Sequence, residues 1–367
     1  MKLFKNRLEQ CKSAIETKQI NSIIVTSKAN LQYLLGVELE TGERMTALLI
    51  APDQTAKLFI HEMFIEKLGD VDDHDITVIP YPDALNPIDT LTTHLSQTHT
   101  LSVDQNWPSH FLIRLMSHCP ELSIYASDIV EKLREIKDRQ EINALRQSSR
   151  IADAVMRQIK QLQRLPTTEK MISENIRDFF DENGVEELAF HPIVGIGKNS
   201  ANPHHTSSNK NSDPNQPIML DFGGVYNQYC SDVTRMTYFG RTNLEYEEIY
   251  KIVREMQLQA LDMIKPGISF SEIDLSIRAG FRKWNYDNYF IHRTGHGIGL
   301  EAHEGPFIHQ NNHDEVKEGM VLTIEPGLYL PNQFGVRIED VVMVTNQGCE
   351  VLNQCSKDLH YLDVSYA

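Results

Sequence analysis

Five side chains that can bind metal ions are spread along the C-terminal half of this sequence: Asp221, Asp232, His296, Glu325 and Glu339. Carboxylates with a single imidazole make an oxygen-rich donor set, which suits Mn, Co, Fe or Zn better than a structural zinc site built from thiolates. A set of this size can hold two divalent cations close together. Paired cations lower the pKa of a bridging water towards neutrality, so these residues predict a hydrolase.

The carboxylates adjoin apolar, strand-like sequence. Asp221 follows the run 218–220, Asp232 precedes Val233, and Glu325 follows the run 321–324. One such residue alone is usually a turn former or a solvated group. Burial of an unpaired carboxylate is costly, however, so several in one half of the chain indicate a shared cation.

The segment 221–235, DFGGVYNQYCSDVTR, predicts how the first two carboxylates meet. Two short strand-like runs are broken by a Gly-Gly pair at 223–224 and by Asn-Gln at 227–228, a pattern typical of a hairpin. The hairpin would return the chain so that Asp221 faces Asp232.

Two other features could be mistaken for metal ligands. Cys230 lies within the hairpin, but a soft thiolate suits an oxygen-rich site poorly, so we expect a buried neutral thiol. His292 and His296 have the spacing of a zinc-binding helix pair, but the intervening Glu of that motif is missing. Glycines at 295, 297 and 299 predict extended backbone that passes close to a ligand or another strand, which leaves His292 and His303 for the substrate.

These segments resemble the pita-bread metallopeptidases, family M24, which include Xaa-Pro dipeptidase (prolidase), aminopeptidase P and methionine aminopeptidase. The resemblance covers roughly residues 140–355 and is closest to the proline-specific branch. The motifs, in family order, are PHH at 203–205, DFGGVYNQYCSDVTR at 221–235, HRTGHGIGLEAHEGP at 292–306, EPGLY at 325–329 and VRIED at 336–340.

The resemblance implies a dinuclear site that holds two divalent ions, Mn²⁺ first, with Co²⁺ or Zn²⁺ as alternatives. Asp221 would chelate one metal, and His296 with Glu325 would hold the other. Asp232 and Glu339 would bridge both. Glu325 would also take a proton from the bridging water, and the resulting hydroxide would attack the peptide bond.

The resemblance also implies substrate contacts. His204, His292 and His303 would touch the substrate and the tetrahedral intermediate. Arg337 would orient the metal carboxylates, and Tyr329 would line the pocket. Adjacent loop histidines such as His204 and its neighbour are usually only solvated, so the resemblance alone gives His204 a role.

The implied activity is hydrolysis of the Xaa-Pro bond of dipeptides, with Xaa-Pro aminopeptidase activity on longer peptides as the second reading. One residue departs from the dipeptidase pattern: Phe307 stands where some prolidases carry an Arg suited to a dipeptide's carboxylate. His292 or a residue of the N-terminal domain would then hold that group. A metal-free creatinase-like C–N hydrolase and a non-catalytic binding protein are the alternatives from other classes.

Composition agrees with this interpretation. The chain has 367 residues, 41% of them hydrophobic, which is ample for two domains. A formal charge of −16 argues against a nucleic-acid partner. Five cysteines without a CxxC pair, no signal-peptide pattern and no apolar run of membrane length predict a cytoplasmic protein.

The expected fold is mixed α/β (α+β): a small N-terminal creatinase-type domain, residues 1–133, followed by a pita-bread catalytic domain, residues 134–367. An amphipathic N-terminal helix and the strand-like runs NSIIVTS and RMTALLIA open the first domain. The resemblance implies that this domain often helps to form a homodimer. A long apolar-striped helix begins near Ile136 and ends at Pro166, and Thr167 or Thr168 caps the next helix, which runs towards Phe180.

Overall fold

The computed structural model describes residues 2–39, 42–69, 76–95, 98–161 and 168–362. The chain divides into two compact units, Met1–Arg134 and Glu135–Ala367. Among the described residues, no helix combines the length and the apolar character that a membrane span requires.

The N-terminal unit is a mixed sheet with helices. Its strands are β1 (Ser22–Val25), β2 (Ala47–Ile50), β3 (Ala56–His61), β4 (Ile76–Tyr81), β5 (Thr100–Val103) and β6 (Ser123–Ala126). Its helices are α1 (Lys2–Thr17), α2 (Lys28–Leu35), α3 (Pro87–Thr92), α4 (Ser109–His118) and α5 (Ile129–Arg134), with a 3₁₀-helix at Glu62–Leu68. The sheet order is β4-β3-β2-β1-β5-β6. The predicted opening helix and the first two predicted strands are therefore confirmed.

The C-terminal unit alternates helix pairs with antiparallel strands. Its helices are α6 (Arg139–Lys160), α7 (Glu169–Glu182), α8 (Leu244–Met263) and α9 (Phe270–Lys283), with 3₁₀-helices at Gly197–Ala201 and Asp287–Tyr289. Its first strands are β7 (Ile193–Ile196), β8 (Gln216–Phe222), β9 (Val225–Tyr226), β10 (Tyr229–Cys230) and β11 (Val233–Phe239). The later strands are β12 (Gly295–Gly297), β13 (Glu304–Ile308), β14 (Val321–Ile324), β15 (Gly327–Leu330), β16 (Phe334–Arg337), β17 (Asp340–Val344), β18 (Cys349–Val351) and β19 (His360–Leu362).

The two larger sheets of this unit each pack against a pair of helices. One has the order β19-β11-β8-β7 and shares an apolar core with α6 and α7, in which Val155, Ile176 and Phe222 are buried. The other has the order β13-β12-β14-β17-β18 and shares a core with α8 and α9, which buries Phe281 and Leu322. The predicted mixed α/β class, with two helix-and-sheet halves in the larger unit, is confirmed.

The long helix α6 begins three residues after the predicted start. Asp138 forms a capping box with Glu141: the Asp138 carboxylate accepts from the backbone N–H of Glu141, and the Glu141 side chain accepts from that of Asp138. Ile136 instead forms a β-bridge with Met320, which holds it outside the helix. Thr168 caps α7 as predicted, whereas Pro166 and Thr167 lie outside the described residues.

The predicted hairpin is confirmed. β9 and β10 pair around Asn227 and Gln228, whose φ angles of 47° and 72° are those of a tight left-handed turn. β8 and β11 continue the ladder on either side, so that Asp221 is paired with Thr234. Gly223 is required here because a Cβ atom would stand 1.7 Å from the Ser231 carbonyl oxygen.

Candidate metal centre

The five predicted metal ligands come together from the two sheets of the C-terminal unit. They lie at the strand ends and in the short strand β12: Asp221 near the end of β8, Asp232 just before β11, His296 within β12, Glu325 directly after β14 and Glu339 just before β17. Ligand atoms of Asp221, Asp232 and Glu339 lie within 4.8 Å of one another, and so do those of His296, Glu325 and Glu339. Glu339 belongs to both groups, as a ligand shared by two ions must.

Close approach of strand β12 to its neighbours places His296 in the centre. A Cβ atom at Gly295 would stand 1.9 Å from the Thr323 carbonyl oxygen, and one at Gly297 would stand 2.1 Å from that of Gly305. Only glycine allows this spacing on both sides of His296. The sequence prediction of extended backbone passing close to another strand is therefore confirmed.

The carboxylates of the centre raise one another's pKa values. Burial, the largest cause, together with Glu339 and Asp221, raises the pKa of Asp232 well above its ordinary value. Burial and Glu325 do the same for the pKa of Glu339. Burial raises the pKa of Glu325 to about 7. The protein alone therefore does not balance this concentration of negative charge.

Two buried oxygens show that a cation fits. Asp221 Oδ1 and Asp232 Oδ1 have no hydrogen-bond partner in the described part of the chain. A buried carboxylate oxygen without a partner is strongly disfavoured unless a cation binds it. These two oxygens, with the shared Glu339 carboxylate, are the hard donors that divalent ions prefer.

The His296 imidazole is held in the tautomer that a metal ligand needs. Its Nδ1 donates to the Gly297 carbonyl oxygen at 3.0 Å. Its Nε2 lies 3.3 Å from Glu325 Oε1, inside the centre. Burial and the neighbouring His303 hold the pKa of His296 well below its ordinary value. The ring is therefore neutral, with the Nε2 lone pair directed at the carboxylates.

Arg337 fixes the orientation of the carboxylates through hydrogen bonds. Its guanidinium donates to Asp221 Oδ2, to Thr234 Oγ1 at 3.0 Å and to the Tyr329 hydroxyl at 2.7 Å. Thr234 in turn donates to Glu339 Oε2 at 2.6 Å. This chain of contacts leaves the second oxygen of each carboxylate for the centre, which agrees with the orienting role that the resemblance implies for Arg337.

Tyr329 lies behind the cavity wall rather than in it. Its hydroxyl accepts from Arg337 and must therefore donate to His292 Nε2, which lies 2.9 Å away. His292 Nδ1 donates to the Arg293 carbonyl oxygen at 2.7 Å, so both ring nitrogens of His292 are engaged. Burial and Arg337 lower the pKa of His292 to about 3. The ring is neutral at physiological pH.

A cavity of about 650 Å³ opens onto the centre. All five predicted ligands line it, together with His204, His292, His303 and Arg337. The His303 ring meets that of His296 edge-on at 4.2 Å, and His303 also has a ligand atom within 4.8 Å of Asp232 and His296. His303 can thus reach either a metal or a group bound to one.

Sequence reasoning missed several residues of this site. Phe190, Ile193 and Arg293 line the cavity, and the Arg293 guanidinium lies 4.3 Å from the centre of the Phe307 ring. Thr234 lies within the 221–235 motif, and Arg293 is adjacent to His292 in the sequence. Proximity to a predicted site residue is therefore the signal that indicates both. Nothing in the local sequence indicates that the Phe190 segment reaches this cavity.

Cys230 is the buried neutral thiol that the sequence predicts. Its Sγ lies 3.7 Å from the Leu300 carbonyl oxygen, and burial and the nearby Glu304 raise the pKa of the thiol well above its ordinary value. The metal-binding groups found among the described residues do not include it.

Comparison with protein families gives two matches that together span most of the chain. The profile of metallopeptidase family M24 matches residues 143–346, and that of the creatinase/prolidase N-terminal domain matches residues 7–136. An uncharacterized peptidase of Staphylococcus epidermidis is 32% identical over 357 residues, which cover 96% of this chain and 99% of that protein.

Solved structures share the fold over nearly the whole length. The prolidase from Thermococcus sibiricus matches with a TM-score of 0.91 at 31% identity, over 98% of this chain and 99% of that one. The Xaa-Pro dipeptidase from Bacillus anthracis matches with a TM-score of 0.88 at 30% identity, over 98% and 100%.

Proposed function

Because the chain belongs to metallopeptidase family M24 and carries a creatinase/prolidase N-terminal domain, we propose that it is a metal-dependent exopeptidase that hydrolyses the Xaa-Pro bond of dipeptides. The observation that carries this proposal is the shared position of Glu339 between two groups of metal-binding atoms. The same cavity is lined by Asp221 and Asp232, each with a buried carboxylate oxygen that no group in the described part of the chain contacts by a hydrogen bond. A creatinase-like enzyme without metal, or a binding protein, would have no need to maintain such a costly charge cluster.

We assign the metal ligands as the family resemblance implies. Asp221 would hold one ion, His296 and Glu325 the other, and Asp232 and Glu339 both. When bound, two divalent ions would supply an activated water for attack and would polarise the scissile carbonyl. Mn²⁺ is our first choice because most of the donors are hard oxygens, with Co²⁺ or Zn²⁺ as alternatives.

Glu325 is the proposed general base. Its carboxylate lies in the cavity, and burial raises its pKa to about 7 in the metal-free protein. Beside bound cations Glu325 would be ionised, and an ionised carboxylate can accept a proton from the attacking water. It would then deliver that proton to the leaving nitrogen, which must be protonated to depart as an amine.

His303 and His204 are the proposed donors to the developing oxyanion. Both line the cavity, and partial desolvation together with Arg293 lowers the pKa of His303. A neutral imidazole can donate one N–H without placing a second positive charge beside the metals. The free amine of the substrate would lie against Asp232 and Glu339, which restricts cleavage to the N-terminal residue.

Arg293 is the proposed partner of the dipeptide's carboxylate. A neutral His292, with both ring nitrogens engaged, is poorly suited to that task. Arg293 is half-buried in the cavity wall, and stacking on Phe307 restrains its guanidinium. A restrained guanidinium can bind a carboxylate through two parallel hydrogen bonds. Phe307 would then hold Arg293 in place. Arg293 would supply the positive charge that an Arg at the position of Phe307 supplies in some prolidases.

Release of the N-terminal alanine tests the activity, because cleavage of each of three substrates would free it. The purified full chain, stripped with EDTA and reloaded with Mn²⁺, is given Ala-Pro, Ala-Pro-Ala and Ala-Ala. Fast cleavage of Ala-Pro with slow cleavage of the other two supports the dipeptidase. Preference for Ala-Pro-Ala would support the Xaa-Pro aminopeptidase, the alternative activity. No cleavage of any Xaa-Pro bond with Mn²⁺, Co²⁺ or Zn²⁺ would reject both.

Substrate amidation isolates the role of Arg293. Arg293→Met should lower kcat/KM for Ala-Pro by about 10- to 100-fold, the cost of a lost charged hydrogen bond, and should leave Ala-Pro-amide nearly unchanged. Equal losses for the acid and the amide would show that Arg293 does not read the carboxylate.

A further inference from the structure

A buried carboxylate holds the loop that carries His204. The loop, residues 196–208, leaves β7 and returns past the cavity, where His204 is exposed and lines the wall. Glu169, the first residue of α7, is fully buried at the base of this loop. We propose that Glu169, together with His205, is a positioning residue that fixes the place of the His204 imidazole in the cavity.

Both oxygens of Glu169 are used, and they hold the two limbs of the loop together. Oε1 accepts from the Ile196 backbone N–H and from the Asn199 side-chain amide, both at 2.8 Å, on the outgoing limb. On the returning limb, Oε2 accepts from His205 Nε2 at 2.8 Å. The same oxygen accepts from the backbone N–H and the hydroxyl of Ser208, at 3.0 Å and 2.6 Å. Five donors therefore converge on one side chain.

His205 is consequently not a solvated loop histidine. Its ring is bonded to Glu169 on the inner side of the loop, while the adjacent His204 side chain is exposed at the cavity. With its neighbour fixed, His204 has little freedom beyond rotation of its own side chain.

The middle of the loop is held by Arg337 and by Gly335. The carbonyl oxygen of Pro203 accepts from Arg337 Nη1 at 3.4 Å, and Arg337 also holds Asp221. The Ser200 hydroxyl accepts from the Gly335 backbone N–H at 2.8 Å. His204 thus lies between two fixed points, the Glu169 carboxylate and the Arg337 guanidinium.

Glu169 is negatively charged, which strengthens the hydrogen bonds that it accepts from the loop. Burial alone would raise its pKa, but the hydrogen bonds from Ser208, Ile196, His205 and Asn199 outweigh burial and lower it. The side chain is therefore an ionised carboxylate, which accepts stronger hydrogen bonds than a neutral amide would. The partial positive charge at the N-terminus of the fourteen-residue helix α7 adds to this stabilisation.

Glu169→Gln tests the role, because it keeps the size of the side chain and places an amide NH₂ where donors already point. This inference rests on the proposed function, so the first measurement needs neither metal nor activity. In the metal-free protein, the variant should speed hydrogen exchange of the amides of residues 196–208 and broaden or shift the His204 imidazole signal in ¹³C-histidine spectra. Unchanged exchange and an unchanged signal would overturn the proposal, whatever the activity.

A double-mutant cycle then separates positioning from general loss of structure. In the Mn²⁺-loaded enzyme, Glu169→Gln should lower kcat for Ala-Pro about 10- to 100-fold, as for other residues that support an active-site group. KM and the amount of bound Mn²⁺ should stay within twofold of the parent. In a His204→Ala background the same substitution should cost less than about twofold, because its effect acts through His204. An equal loss in both backgrounds would contradict positioning.

Asp104→Asn provides a matched control. Asp104 is also a buried carboxylate with several donors, namely the N–H and hydroxyl of Thr26, the Ser27 N–H and the Asn30 amide, but it belongs to the N-terminal unit. This variant should lower the melting temperature without speeding exchange at 196–208, and its effect on kcat should be the same with or without His204. If Glu169→Gln does not fold, Ser208→Ala removes one of the five donors, the Ser208 hydroxyl, and keeps the backbone N–H. It should shift exchange and kcat in the same direction by less.

Discussion

At the scale of single residues, the candidate metal centre is characterised by excess negative charge and by unpaired buried carboxylate oxygens among the described residues. Asp221 and Asp232 each keep one buried oxygen that has no hydrogen-bond partner among the described residues, while Arg337 and Thr234 satisfy neighbouring oxygens. Burial and mutual repulsion raise the pKa values of Asp232, Glu325 and Glu339. Such a cluster is stable at neutral pH only when protons or cations compensate it.

Asp232→Asn should abolish both metal binding and turnover. The substitution removes one negative charge and replaces an oxygen donor of the cluster with an amide that binds divalent ions weakly. Metal content per chain is measured by mass spectrometry, and proline release gives the turnover. Asp213→Asn, which alters an exposed carboxylate of the same unit, is the control and should retain both. Full activity in Asp232→Asn would contradict the ligand assignment.

His303→Ala should leave the metals bound and lower kcat/KM by about 10²- to 10³-fold, the usual cost of losing one donor to an oxyanion. The same distances would also allow His303 to bind a metal, so metal content must be measured beside the rate. Retained metal with a lost rate supports the oxyanion role, whereas loss of metal would make His303 a ligand instead. His313→Ala, at an exposed loop histidine, serves as the control and should change neither.

At the scale of elements, the spacing of strand β12 decides where His296 lies. Its two glycines bring β12 closer to β14 and to the 304–305 segment than any side chain would allow. The hairpin from β8 to β11 does the same for the aspartates, through a left-handed turn and a glycine close to the returning strand. The ligands are thus positioned by strand backbone rather than by flexible loops.

Gly295→Ala should damage the centre without touching a ligand. The new methyl group would stand 1.9 Å from the Thr323 carbonyl oxygen, so β12 must move away and carry His296 with it. We expect a loss of about 1–3 kcal/mol in the free energy of unfolding, or more, and weaker metal binding. Urea denaturation and Mn²⁺ titration measure the two effects. Gly348→Ala, where the nearest atom would lie 3.9 Å away, should be nearly neutral, and equal effects of both substitutions would reject the steric argument.

At the scale of the whole molecule, the candidate metal centre should couple the free energy of unfolding to pH and to bound metal. Glu325 has its pKa raised from 4.5 to about 7 in the folded protein. The folded state therefore binds more protons than the unfolded state between these values. The contribution of Glu325 to stability is accordingly lost as the pH rises through this window, and it stays constant above pH 7.

Metal-free protein should therefore melt at a lower temperature at pH 7.5 than at pH 5.5. Its free energy of unfolding should fall by about 1.4 kcal/mol per pH unit for each proton involved, up to the folded pKa of about 7. Mn²⁺ at a hundred times its dissociation constant should restore about 2.7 kcal/mol at pH 7.5. Thermal unfolding in EDTA and in Mn²⁺ measures both effects. Glu325→Gln, which cannot titrate, should reduce the pH slope by about one proton, and an unchanged slope would mean that Glu325 is not the group concerned.

Homodimer formation stays a prediction that the resemblance implies. Light scattering at micromolar concentration should give about twice the chain mass of 42.1 kDa. A mass equal to one chain would reject it.

The sequence by itself singled out the five side chains that the structure brings together in the candidate metal centre, and it predicted the local backbone around several of them. The hairpin at 221–235 and the glycines beside His296 depend on interactions between residues close in the chain, so their spacing shows in the sequence. The apolar runs next to Asp221 and Glu325 likewise predicted burial because burial of a strand is recorded in its own composition.

Only the tertiary structure decided how groups far apart in the chain share their contacts. Glu169 meets Ser208 across 39 residues, Tyr329 meets His292 across 37, and Arg337 meets Asp221 across 116. Stacking of Arg293 on Phe307 and the place of Tyr329 behind the cavity wall are of the same kind. No local pattern encodes such pairs, because which donor reaches which acceptor depends on how the two sheets and their helices pack.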